Sequence, residues 1–196
     1  MDFSRPAPRV LLRQWTDADL APFAAMNADP LVMRHFPALL TFEESRSAFD
    51  RYRTAIDERG WGFWAVEVEG EFAGLTGLAE PSFVAHFTPC IEIGWRFHPK
   101  FWGRGLAFAA AQQAEHYAFT VLHLAELVSF TAVQNEKSRA LMQRLGFTRD
   151  LAGDFQHPKI PTGHPLRPHV LYRKDLSSAT LASSAPAQPS SSSPSS

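Results

Sequence analysis

The sequence predicts one mixed α/β domain, a central sheet flanked by helices, on three observations. Segments alternating apolar with polar residues are interleaved with segments whose apolar residues recur every three or four positions, the periods of strand and helix. Capping and stop residues bound most of the helical segments. A strand–helix–strand succession from Cys90 to Val133 requires a parallel pair with a right-handed crossover, whereas a tight hairpin before it requires antiparallel neighbours, so the sheet is mixed. The chain has 196 residues, 45% of them hydrophobic, enough to bury a core without staples.

Each element follows in order. Val10 to Trp15 reads as the first strand. Thr16 and Asp19 form a capping box for a helix that buries Leu20, Phe23 and Met26, and Asp29-Pro30 stops it. A second box, Thr41 with Glu44, opens a longer helix with Phe49, Tyr52 and Ile56 on one face and Gly60 as its cap. Trp61 to Val68 and Phe72 to Leu78 are aromatic and branched, and Glu69-Gly70-Glu71 joins them as a hairpin. Trp61, Phe63 and Trp64 read as core, with one of them free to line a pocket. Cys90 to His98 alternates Ile91, Ile93, Trp95 and Phe97 with Glu92, Gly94, Arg96 and His98, a half-buried strand with one polar side. An alanine-rich helix runs from about Gly105 to Leu122, stepping through Leu106, Ala110, Ala114, Tyr117 and Val121. Glu126 to Val133 is a strand, and Asn135 then opens a short helix carrying Leu141, Met142 and Leu145 before Gly146 ends it. Phe147 to Pro168, rich in Pro, Gly and His, reads mostly as loop, and His169 to Leu176 as the last strand. Domain organisation is therefore one domain over 1–176 and a tail over 177–196. The tail holds ten serines, three prolines and no charge, a composition that leaves it disordered.

Composition narrows the function. Nineteen Lys and Arg against twenty Asp and Glu leave a net charge of −1, which supplies no field for nucleic acid or an anionic membrane. A single cysteine excludes a disulfide framework or a multi-thiolate zinc site. No apolar run is long enough to span a bilayer, and the expected address is the cytoplasm. Three histidine–proline junctions, at His157, His164 and His169, match no compact zinc motif; they read as a shaped loop over a binding site, or as a packed connection, with no metal expected.

The most informative segment is Pro99-Lys100-Phe101-Trp102-Gly103-Arg104-Gly105-Leu106-Ala107, where a strand ends and a helix begins. Such a turn directs unpaired N–H groups and the positive helix end at one point, which suits a phosphate, and Gly103 and Gly105 let the backbone approach it. A simple tight turn would look the same. The segment has neither the third glycine of a dinucleotide fingerprint nor the Gly-Lys-Ser/Thr of a Walker loop. Here the chain resembles the GNAT N-acetyltransferases, whose pyrophosphate loop reads Gln or Arg, two residues, Gly, one residue, Gly or Ala. Glu92-Ile93-Gly94-Trp95, Trp102-Gly103, Asn135-Glu136-Lys137-Ser138 and Gly146-Phe147 are similar to the RimJ/RimL branch, which acetylates ribosomal-protein N-termini. Lys100 departs from the loop pattern, keeping a cation without the planar fork.

The resemblance implies a GNAT-type domain in which the parallel strands splay and admit the pantetheine arm of acetyl-CoA. It assigns the arm to backbone near Phe97 and to Asn135, and the pyrophosphate to Lys100, Trp102, Gly103, Arg104, Gly105, Leu106 and Ala107. It implies an oxyanion donor from the Glu92–Phe97 backbone, Glu92 as the base for the amine, and Ser138 as the acid for the leaving thiolate. Each has a plainer reading, Glu92 as a surface glutamate and Asn135 as a helix cap. Cys90 reads as a small buried hydrophobe, which favours direct transfer in a ternary complex over a covalent acyl-enzyme. The expected acceptor is a primary amine, on a small molecule or a peptide N-terminus, served by a monomer or homodimer. A catalytically silent acyl-CoA sensor of the same fold is the alternative.

Overall fold

The computed structural model of the protein describes residues 9–175. The predicted 177–196 tail, and with it the domain boundary at 176, lies outside the described residues. Seven strands form one sheet in the order β1-β2-β3-β4-β5-β7-β6. They are β1 (Val10–Arg13), β2 (Phe63–Val68), β3 (Glu71–Ala79), β4 (Glu92–Phe97), β5 (Glu126–Ala132), β6 (Thr148–Gln156) and β7 (Pro168–Asp175). Only β4 and β5 run parallel; all other neighbours are antiparallel.

Five helices cover the sheet: α1 (Leu20–Asn27), α2 (Pro30–Met33), α3 (Phe42–Arg59), α4 (Leu106–Thr120) and α5 (Glu136–Arg144). Both predicted capping boxes form, Thr16 with Asp19 and Thr41 with Glu44, and Gly60 closes α3 in the left-handed conformation. Asp29-Pro30 ends α1 and also begins a new turn: Asp29 accepts from the Leu31 N–H, and Pro30 starts α2 with its ring torsion already helical. Glu69 and Gly70 both take positive φ, at 55° and 82°, making the two-residue hairpin turn between β2 and β3.

Alternation along β2 assigns the helices to faces. Ala65 packs with Trp15, Phe23, Met26 and Phe49, from the layer of α1 and α3, whereas Val66 packs with Phe97, Leu106 and Ala110, from the side of α4. The strip of small residues Ala110, Ala111, Ala114 and Ala118 is fully buried, so α4 lies close against the sheet. Val121, expected on that inward face, is 54% exposed because the helix ends at Thr120.

The one substantial correction concerns Phe147 to Pro168. Its first half is not loop but the nine-residue edge strand β6, paired with β7 and interrupted by a register shift between Asp150 and Phe155. The shift breaks the period of two, and most of the strand is exposed or half-buried, so the alternation that marks a strand is missing. Ion pairing across the ladder compensates: Arg173 of β7 bridges Asp150 and Glu126 at 2.8 Å each.

Beneath the sheet end, Lys174 donates to Glu115 of α4 at 2.5 Å and to the Leu145 carbonyl at 2.6 Å, joining β7, α4 and the end of α5. Both side chains are nearly enclosed. Lys174→Ala should therefore strand a buried carboxylate and lower the unfolding free energy by about 3 kcal/mol or more, measured by urea denaturation. A loss below about 1 kcal/mol would show that the pair is solvated.

Candidate active site

The site originates in the parallel pair. Glu92 stands opposite Val128, the Val128 N–H donates to the Ile91 carbonyl at 3.0 Å, and the Ser129 hydroxyl donates to the Ile93 carbonyl at 2.9 Å. Beyond that point the ladder stops. The carbonyls of Ile91 and Ile93 face β5, so by alternation the N–H and C=O of Trp95 are the next groups on the same edge. Phe97, one step further, gives its carbonyl to the Trp102 indole N–H at 2.8 Å.

The gap opens a cavity of about 800 Å³ that passes through the sheet, within the size range of small-molecule sites. On the α4–α5 side it is lined by Trp102, Gly103, Gly105, Leu106, Ala107 and Ser138. On the α1–α3 side it is lined by Tyr52, Phe63, Glu92, Arg96, His157 and His169. A second, more open groove of about 1060 Å³ runs over α3 and shares Tyr52, Phe63, Glu92, Phe130, His157 and Lys159 with the first. Glu92 thus stands where an inner and an outer space meet.

The α4 terminus is built to receive an anion. Gly103 and Gly105 have φ of 72° and 75°, and a Cβ at either would meet no protein atom within 4 Å. Backbone conformation, not crowding within the protein, demands glycine there. No side chain caps α4, whereas Thr41 caps α3 and Asn135 caps α5. Its first main-chain bond runs from the Ala109 N–H to Gly105, leaving the N–H groups of Leu106, Ala107 and Phe108 ahead of it, toward the cavity. These features fit a pyrophosphate such as that of acetyl-CoA.

Two residues expected in the same loop are placed elsewhere. Lys100 is ion-paired with Glu71, and Arg104 approaches Glu69 at 3.7 Å. Neither lines the cavity; the β2–β3 hairpin holds both. Asn135 and Ser138 do line it. The Asn135 carbonyl accepts from the Ser138 N–H at 3.3 Å and its amide donates to Thr131 at 2.9 Å, so both ends of the side chain are engaged in shaping the α5 start. The Ser138 hydroxyl has no hydrogen-bond partner among the described residues.

Glu92 has neither a cation nor a hydrogen-bond donor on its carboxylate among the described residues, and burial alone pushes its pKa up to about 7. A carboxylate tuned near neutrality can take a proton from an ammonium and still be ionised at working pH. Cys90 lines neither cavity, and burial, reinforced by the charge of Glu92, pushes its thiol up to about 11, so it is a thiol near neutral pH.

Sequence reasoning did not single out several lining residues. Tyr52 and Phe130 come from α3 and β5, and the predicted core aromatics divide: Phe63 lines both cavities while Trp64 is buried in the core. His157 and His169 lie with ring centroids 4.9 Å apart and planes tilted by 45°, among Phe83, Phe130 and Phe155. Burial, then the neighbouring His169, hold His157 down at about 4, and burial also lowers His169, so the wall is uncharged at neutral pH. Histidine–proline spacing signalled a shaped segment here; its packing against β5 needed the fold. Among the described residues no group of three or more His, Cys, Asp or Glu could hold a metal ion, and no helix is long and apolar enough to cross a membrane.

Residues 9–148 match the acetyltransferase (GNAT) domain model. The chain belongs to the GNAT acetyltransferase family. It is 33% identical over 155 residues to the spermidine N(1)-acetyltransferase of Escherichia coli K12, covering 77% of this chain and 78% of that enzyme. A crystal structure of an acetyltransferase from Agrobacterium tumefaciens superposes with a TM-score of 0.68 at 28% identity, over 89% of this chain and 96% of that one. The fold also matches a spermidine N-acetyltransferase of Vibrio cholerae, solved with CoA and spermine, with a TM-score of 0.69 at 20% identity, over 87% of this chain and 98% of that one. The protein is thus an N-acetyltransferase, and the expected fold class holds: one GNAT domain with a mixed seven-stranded sheet.

The Glu92 environment has a measurable consequence apart from catalysis. A folded-state pKa near 7 lies above the ordinary 4.5, so the native protein binds the proton more tightly than the unfolded chain. Its contribution to stability is complete below about pH 4.5 and is lost as pH rises to about 7. Glu92→Gln should match the wild type in urea unfolding at pH 4.5 and exceed it at pH 8. Equal stability at both values would show that the carboxylate is solvated.

Proposed function

We propose that the enzyme transfers the acetyl group of acetyl-CoA directly to a primary amine within a ternary complex. The observation that carries this reading is the cavity through the sheet, with an uncapped helix end on one side and an isolated carboxylate on the other. In this reading Gly103, Gly105, Leu106 and Ala107 hold the pyrophosphate, helped by the Trp102 ring at the loop edge. The pantetheine arm lies along the Trp95 main chain in the gap, near Phe97 and Asn135. Lys100 and Arg104 contribute to the cofactor only by releasing Glu71 and Glu69.

The chemistry then divides among few groups. Glu92 accepts the proton of the attacking amine, directly or through water, as the new N–C bond forms. The main-chain N–H of Trp95, held by β4 and unpaired by β5, faces the developing oxyanion. Ser138, anchored through its own N–H by Asn135, gives a proton to the departing thiolate as the C–S bond breaks. No covalent acyl-enzyme is involved, in keeping with the raised thiol pKa of Cys90. For the acceptor, the Escherichia coli spermidine enzyme supports a small-molecule amine, and the motif resemblance to the RimJ/RimL branch supports a peptide N-terminus.

The test is release of free thiol from acetyl-CoA on adding a panel of amines and N-terminal peptides. Acceptor-dependent release is expected; CoA binding without release for any acceptor would favour a silent sensor. Gly105→Val should abolish acetyl-CoA binding in calorimetry while circular dichroism shows a folded protein, and unchanged affinity would refute the pyrophosphate placement. Ser138→Ala should lower kcat about tenfold or more with acetyl-CoA affinity unchanged, and full turnover would remove it from the mechanism.

A further inference from the structure

The α1–α3 side of the cavity holds one charge that the transfer chemistry does not use. Arg96 lies on the same face of β4 as Glu92 and Gly94, and lines the cavity. Its guanidinium donates to the Asn27 carbonyl oxygen at 2.6 Å and stacks 4.2 Å over the Phe36 ring. That single protein hydrogen bond uses one of five donors. Nε is fully enclosed and unpartnered, and no carboxylate pairs with the side chain among the described residues. Burial disfavours the charge, yet a guanidinium does not shed its proton in a protein. Arg13, by contrast, sits against two carboxylates, those of Asp19 and Glu67.

The cavity around it offers no compensation. Among the described residues Glu92 is the one carboxylate that lines it, while Arg34, Lys137, Arg144 and Lys159 add further cations. Lys159 donates to Ser82 at 2.6 Å and has no acidic partner among the described residues. The outer groove does carry Glu43, Asp50, Glu58 and Glu80, but Arg46, Arg51 and Arg59 stand among them, and Arg59 bridges Glu80. A half-buried cation whose Nε is enclosed and unpartnered is costly unless a ligand anion completes it.

We propose that the acceptor is an amine carrying a carboxylate on the same small molecule, with the amine at Glu92 and the carboxylate on the Arg96 guanidinium. Along β4 the two residues stand roughly 13 Å apart at the backbone, four steps of about 3.3 Å, and the two side chains shorten that span. Asn27 and Phe36 fix the plane of the fork, leaving donors for a carboxylate oxygen pair. A polycation would instead place a second positive charge against Arg96, which opposes it. Acceptor choice would then differ from that of the spermidine-acetylating relative. The proposal rests on the acetyl-transfer reading of the cavity.

The experiment measures acceptor-dependent thiol release for ω-amino acids of two to eight carbons, each beside its amide and the diamine of equal length, with spermidine as a further arm. For the length that fits, kcat/KM should be at least tenfold higher for the acid than for its amide or diamine. Arg96→Gln should bring the acid-to-amide ratio to within twofold by raising KM for the acid, with acetyl-CoA affinity retained; Arg96→Lys should keep part of the preference. Amides, diamines or spermidine accepted as well as the acids by the wild type would overturn the proposal and leave acetyl transfer standing. A preference that survives in Arg96→Gln, or a loss of acetyl-CoA affinity that accounts for the change, would also overturn it. No acceptor-dependent release with any amine here or in the broader panel would overturn both readings together.

Discussion

Everything at the candidate site depends on where β4 and β5 stop pairing. A parallel pair that continued would satisfy the main-chain groups of Trp95 and seal the sheet. Here the ladder consists of Glu92 opposite Val128, extended by the Ser129 hydroxyl on Ile93, and then ends. The antiparallel ladders on either side, β3 with β4 and β5 with β7, are long and regular. They hold each half of the sheet rigid while the gap between the halves stays open. In the proposed reading the cost of leaving strand backbone unpaired is met by an acyl-pantetheine chain, whose amides have the matching polarity.

The gap also separates two electrostatic regimes. On the α4 side, the feature that suits an anion is the set of main-chain dipoles at a helix end that no side chain caps, and the loop cations Lys100 and Arg104 are engaged by Glu71 and Glu69. In the proposed reading, a chain of net charge −1 accommodates a polyanionic cosubstrate through these local dipoles and the few cations that line the cavity, without a global positive field. On the α1–α3 side the polar groups that face the cavity include one carboxylate raised toward neutrality, one guanidinium without a counter-ion, the Lys159 ammonium held by Ser82, and a pair of imidazoles whose pKa values burial lowers. A site with so little internal compensation is one whose charges are completed by what it binds.

Much of this was legible in the sequence because local rules govern it. Two capping boxes, a left-handed glycine and the β2–β3 turn depend on residues a few positions apart, and all formed as read. Alternation in β4 assigned Glu92 and Arg96 to one polar face, though not the reason for Arg96 being there. The residues that went unread depend on long-range register. Lys100 and Arg104 follow the acids that the hairpin brings alongside, and Asn27 reaches Arg96 across 69 positions of sequence. The strand β6 carries a register shift that erases its period, and only its partner β7 defines it. His157, the residue after that same strand, acquires its place beside His169 from it.

The proposed mechanism stands on acetyl-CoA occupying the gap beyond Ile93 and the start of α4. Amide hydrogen exchange with and without acetyl-CoA tests it most directly, because it reads the proposed main-chain groups themselves. Binding there slows exchange at Trp95–Phe97 and Gly103–Phe108 and leaves α3 and β1 unchanged. Protection along the outer groove over α3 with no change at Gly103–Phe108 would contradict it.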